Sequence, residues 1–152
     1  MTNLSQISRW FRLIVLAAFV LALFQPANSQ STSETERESL VRAFVDRFNR
    51  HQADPLLEMI ADDFQWVSIT GGKAEVHLEG KPALKREMER YFAKCPSCRS
   101  KLQWVQSTGS RITALEEASW TGKNGSKSQK SLSVYEFKDQ RIARVFYFSV
   151  EP

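Results

Sequence analysis

The chain predicts an α+β domain. Apolar residues at helical spacing fill its first half, and strand-length runs separated by turn residues fill its second half. The two kinds of segment are segregated rather than interleaved, which argues against a parallel βαβ sheet. The later strands carry apolar residues at both parities, so both faces of their sheet are expected to be covered.

The first helix is expected from about Glu34 to Arg50. Leu40, Val41, Phe44, Val45 and Phe48 form one stripe along it, and Glu34, Glu36 and Glu38 favour its N-terminus. Asp54 and Pro55 suit the cap and first turn of a short second helix, closed by Asp62-Asp63. Phe64 to Ile69 reads as a strand, Gly71-Gly72 as a turn and Ala74 to Leu78 as a return strand. Gly80-Lys81-Pro82 opens a third helix, with Leu84, Met88, Tyr91 and Phe92 on one side. Four antiparallel strands are expected next: Lys101–Gln106, Arg111–Thr121, Gln129–Phe137 and Arg141–Val150. The turn at Gly122–Ser126 joins the middle pair.

With 152 residues, 42% of them hydrophobic and 25% charged, the chain is neither a disordered tail nor a fibre nor a polytopic membrane protein. Two cysteines exclude a disulfide-dense scaffold, and one domain is the default. Residues 1–29 read as a signal peptide. Arg9 and Arg12 are their only charges, Leu13 to Phe24 is unbroken apolar sequence, and Ala27-Asn28-Ser29 is a small-x-small site. As a helix that run spans about 18 Å, short of a bilayer core of about 30 Å. The expectation is export to the periplasm or beyond, cleavage near Ser29–Gln30 and no stable membrane anchor afterwards. Residues 30–35 are expected as a polar linker and 36–150 as the domain. Losing the leader's two arginines lowers the net charge from its value of +4. The densest basic stretch, from Lys81 to Lys101, is broken by Glu87 and Glu89 and reads as a solvated helix face, so no nucleic-acid partner is expected.

Phe48-Asn49-Arg50-His51-Gln52-Ala53-Asp54, Leu56-Leu57 and Ala61-Asp62-Asp63-Phe64 resemble the nuclear transport factor 2-like superfamily, including its SnoaL-like branch. Gly80-Lys81-Pro82-Ala83-Leu84 resembles its entry to the third helix. The resemblance implies a curved antiparallel sheet wrapped around N-terminal helices. This cone-shaped, cystatin-like fold holds a central pocket and often forms homodimers through the outer sheet face. It places Phe44, Phe48, Trp66, Trp120, Tyr135, Phe146 and Phe148 in or around the cone, with Ser68 and Ser133 beside them. Arg144 shares parity with Phe146 and Phe148, and is either a pocket group or a solvated strand arginine.

Ketosteroid isomerases of this superfamily pair an aspartate base with an oxyanion hole of tyrosine and protonated aspartate. By motif offset the tyrosine position falls on Phe44, the base position on Ser68 and the protonated acid at or near Ser133, so that chemistry is not expected. The histidine- or arginine-centred sites of scytalone dehydratase and limonene epoxide hydrolase find little here, since His51 and His77 read as surface or loop residues. Glu116 shares parity with Ala118 and Trp120; an edge carboxylate in solvent is preferred over a buried base. Cys95-x-x-Cys98 reads first as a local disulfide, then as a redox pair, then as half of a zinc site. No cofactor or metal is expected. The leading expectation is a protein that binds a small hydrophobic molecule. The alternatives are an isomerase-, hydrolase- or lyase-type enzyme and an interaction module with a filled pocket.

Overall fold

The computed structural model describes residues 28–148. The described residues 33–148 belong to one compact unit, and residues 28–32, all helical, fall to another. The leader and its hydrophobic run therefore lie outside the described residues, apart from Asn28 and Ser29. None of the described helices is long and apolar enough to cross a membrane.

Helix α1 runs Asn28–Asn49, six residues earlier than the spacing suggests. The segment expected as a polar linker is helical because nothing between Pro26 and Asn49 breaks a helix; no glycine or proline intervenes. Glu34, Glu36 and Glu38 consequently lie beyond the first turn. Helix α2 is Ala53–Glu58, capped at Gln52 without a side-chain bond, so Asp54 and Pro55 sit inside its first turn. Helix α3 is Lys81–Lys94. Gly80 precedes it at φ 78, a conformation that glycine adopts at least cost, and its N–H donates to the Phe64 carbonyl (2.7 Å).

The strands are β1 Ile60–Thr70, β2 Lys73–Glu79, β3 Arg99–Thr108, β4 Arg111–Gly122, β5 Gly125–Lys138 and β6 Arg141–Phe148. Asp62 and Asp63 thus belong to the first strand rather than closing a helix. The six form one sheet in the order β2-β1-β6-β5-β4-β3. It is antiparallel except between β1 and β6, which run parallel. A parallel pair needs a long crossover, and here β2, α3, β3, β4 and β5 intervene.

Registers fix the two faces. Ala114 lies opposite Ser133, Ile112 opposite Tyr135, and Tyr135 opposite Val145. Ile112, Ala114, Tyr135 and Val145 meet Val41 and Phe44 of α1, Leu56 of α2, and Leu84, Met88 and Phe92 of α3 in the core. The disulfide Cys95–Cys98, with an S–S distance of 2.01 Å, closes the turn between α3 and β3.

Candidate functional site

The cone holds a cavity of about 820 Å³, and the chain's own side chains do not plug it. Its apolar wall comes from Phe44, Val45 and Phe48 of α1, Met88 and Tyr91 of α3, and Trp66 of β1. Alternation explains the sheet's share. Trp66 is opposite Val145 across the parallel pair, and Tyr147 is two residues beyond Val145 on the same face. Trp66 and Tyr147 stack with ring centroids 4.9 Å apart.

The floor is polar. Glu116 lines the cavity yet is only 5% exposed. Ser133 Oγ (2.6 Å) and Tyr135 Oη (2.5 Å) donate to its Oε1. Ser100 Oγ donates to Oε2 (3.0 Å), and Tyr147 Oη reaches Oε2 only at 3.5 Å. A carboxylate offers about four acceptor positions. Oε1 is therefore filled, while Oε2 holds one firm bond and one marginal contact. Tyr135 is fully buried behind this floor. Asn49, at the end of α1, sets Ser100 in place: its Oδ1 accepts from the Ser100 N–H and its Nδ2 donates to the Ser100 carbonyl, both at 2.7 Å.

Burial, and then the charge of Glu116, hold the Tyr135 and Tyr147 phenols well above the ordinary value; burial alone raises Tyr91. These are the chain's three tyrosines. Below about pH 10 folded and unfolded chains both keep the phenolic protons. Above it the unfolded chain releases them first, so stability is lost as pH rises from about 10 through the raised folded values. Tyrosinate absorbance is therefore expected to lag in the native protein and to appear with unfolding. Ionisation of Tyr135 or Tyr147 at the ordinary value in folded protein would contradict the buried cluster.

The rim is charged. Arg86, Glu87 and Arg90 of α3, Arg99 of β3 and His77 of β2 line it. Arg90 pairs with Glu87, whereas Arg86 has no ion pair among the described residues. Arg99 Nη1 donates to the carbonyls of Cys98 (2.6 Å) and Pro96 (3.0 Å) and lies 2.9 Å from His51 Nε2. His51 Nε2 also lies 3.2 Å from the Cys98 carbonyl oxygen. The His51 ring stacks on Phe92, 4.6 Å between centroids. Among the described residues no group of three or more His, Cys, Asp or Glu side chains is placed to hold a metal ion.

Several residues singled out in the sequence sit elsewhere. Ser133 and Tyr135 are behind the floor, touching Glu116 rather than lining the cavity. Ser68 is on the inner face opposite Tyr147, and Trp120 lies beyond Ala118 on β4; neither reaches the lining. Arg144, Phe146 and Phe148 face outward, because Val145 and Tyr147 take the inner positions of β6. Arg144 donates from Nε to Gln65 (2.9 Å), pairs with Glu136 (3.3 Å) and lies over the Phe146 ring. The unexpected member is Glu116, which is buried among hydroxyls instead of solvated.

A curved six-stranded sheet packed on three helices over an aromatic cavity defines the class, a nuclear transport factor 2-like or cystatin-like domain. Within it the chain belongs to the SnoaL-like domain family, whose model matches residues 41–145. A search of the curated proteins finds no match. Among solved structures, the chain resembles a cystatin-fold protein from Novosphingobium aromaticivorans at 19% identity and TM-score 0.64, covering 73% of this chain and 96% of that one. A proposed polyketide cyclase from Xanthomonas campestris aligns at 21% identity and TM-score 0.59, over 78% and 93% of the two chains. TerC, co-crystallised with polyporic acid, aligns at 14% identity and TM-score 0.62, over 76% and 92%. At these identities the likeness is one of fold.

Proposed function

We propose that this is an exported protein that binds a small, largely apolar molecule in the cone and pairs with a second copy through the outer sheet face. The open, aromatic-walled cavity carries the binding reading. Its volume is that of sites for drug-sized ligands, and such walls suit flat apolar bodies. The co-crystallisation of TerC with polyporic acid supports the view that this fold accommodates organic ligands. Export rests on the leader sequence, and the Cys95–Cys98 disulfide suits an oxidising compartment. Native mass spectrometry of the protein purified from an exporting host tests these points together. The expected spectrum shows a dimer of chains lacking residues 1–29, each lighter by the two hydrogens of a disulfide, with a retained small molecule. Leader-bearing chains in the cytoplasm would defeat the export claim.

Pairing rests on the outer face. Trp104, Leu132, Phe148 and Val76 are exposed large apolar side chains there, and Leu132 lies opposite Phe148 in the sheet. Replacing both Leu132 and Phe148 by glutamate is expected to give a folded monomer in sedimentation velocity. An unchanged dimer would place the contact elsewhere.

One observation favours an enzyme as the second reading: Glu116 is a buried carboxylate in an open cavity. Against it, hydroxyl donors already occupy most of the acceptor positions that a base would use.

A further inference from the structure

The cavity is polar at both ends and apolar between them, and the two ends differ in sign. At the floor, Glu116 Oε2 has an acceptor position served only by the 3.5 Å contact from Tyr147, and the Tyr147 hydroxyl has no shorter bond than that contact and its 3.5 Å approach to Tyr135. This pair can accept a hydrogen bond from a ligand and return one from the phenol. A negative group is unwelcome beside the Glu116 carboxylate. At the rim, three guanidinium groups face one carboxylate, Glu87. Arg99 is already fixed by two backbone carbonyls, and Arg86 has no ion pair to give up. Phe44, Phe48, Trp66 and Tyr91 wall the space between.

We propose that the pocket takes an amphipathic organic anion: a flat apolar body whose hydroxyl enters first, to Glu116 and Tyr147, and whose carboxylate or similar anion stays at the rim with Arg86 and Arg90. This assignment rests on the binding reading above and adds to it the ligand's chemical class and orientation. The hydroxyl supplies the donor for Oε2 and the acceptor for Tyr147. The anion is held by charge in a solvated setting, where its contribution is small and screened by salt.

Four probes separate the two ends: naphthalene, 2-naphthol, 2-naphthoate and 6-hydroxy-2-naphthoate, each titrated calorimetrically into the purified protein. 6-Hydroxy-2-naphthoate is expected to bind tightest. Loss of the hydroxyl is expected to weaken binding about tenfold, the scale of a hydrogen bond to a charged group. Loss of the carboxylate is expected to weaken it about threefold, and that difference shrinks in high salt. Tyr147→Phe removes one oxygen and should weaken 2-naphthol while leaving 2-naphthoate unchanged. Arg86→Ala, at an exposed position, should do the reverse. Equal binding of all four probes, or either variant affecting the wrong probe, would overturn this assignment and leave the binding reading standing. No binding of any probe would overturn both.

Discussion

Replacing Glu116 by alanine is expected to lower the stability of the fold by about 3 kcal/mol, the scale set by stranding buried hydroxyl donors. Tyr135 is fully buried, and without the carboxylate the one polar partner left to its hydroxyl among the described residues is the Tyr147 oxygen at 3.5 Å. Ser133 can fall back on the Ala114 carbonyl at 3.3 Å, and Ser100 is still held through its backbone by Asn49. The loss should therefore centre on Tyr135. Glu116→Gln keeps an acceptor for Ser133 and Tyr135 and turns an amide toward Ser100, whose oxygen can accept. It should cost less than about half as much on the same hydrogen-bond scale. Urea unfolding of the two variants checks the order. An alanine variant as stable as the parent would mean that the hydroxyls have other partners and that the floor is not built around this carboxylate.

Phe44→Ala is expected to cost about 3–5 kcal/mol, the range for emptying a buried aromatic site. Phe44 is 5% exposed and packs edge-on against Tyr135, with centroids 6.5 Å apart, so it joins α1 to the sheet behind the floor. It also lines the cavity. The variant should lose both thermal stability and affinity for apolar probes, because the enlarged space no longer grips them. Stability loss alone, with probe affinity kept, would separate the core role of this residue from its wall role.

The contrast between these residues and Arg144 shows what the sequence could convey. Phe44 was legible because a helix stripe has one buried side, and Val41, Phe44, Val45 and Phe48 mark it. The face of β6 was not legible. Phe146 and Phe148 alternate with Val145 and Tyr147, so both parities are apolar and periodicity cannot choose between them. The choice follows from the pairing of Val145 with Tyr135 and of Tyr147 with Ser133, which is long-range information. Arg144 falls on the outer face for the same reason, where Gln65 and Glu136 receive it.

Glu116 was harder still. Its parity with Ile112 and Ala114 is visible in the sequence and points inward. What makes burial of a carboxylate tolerable is the convergence of Ser100, Ser133, Tyr135 and Tyr147 from three other strands, and no local pattern announces that. The rim arginines were hidden differently. On α3 they look like any solvated helix face, and only the fold shows that Arg86 and Arg90 overlook the cavity while Arg99 joins them from β3.

The central claim is that the cone is an open binding site with Glu116 and Tyr147 at its floor. A crystal structure of the protein soaked with 2-naphthol tests this most directly. The account predicts the naphthyl rings between Phe44, Trp66 and Tyr91, with the hydroxyl within hydrogen-bond distance of Glu116 Oε2 and Tyr147 Oη. An empty cone collapsed onto its own side chains, or the probe bound solely on the outer sheet face, would contradict it.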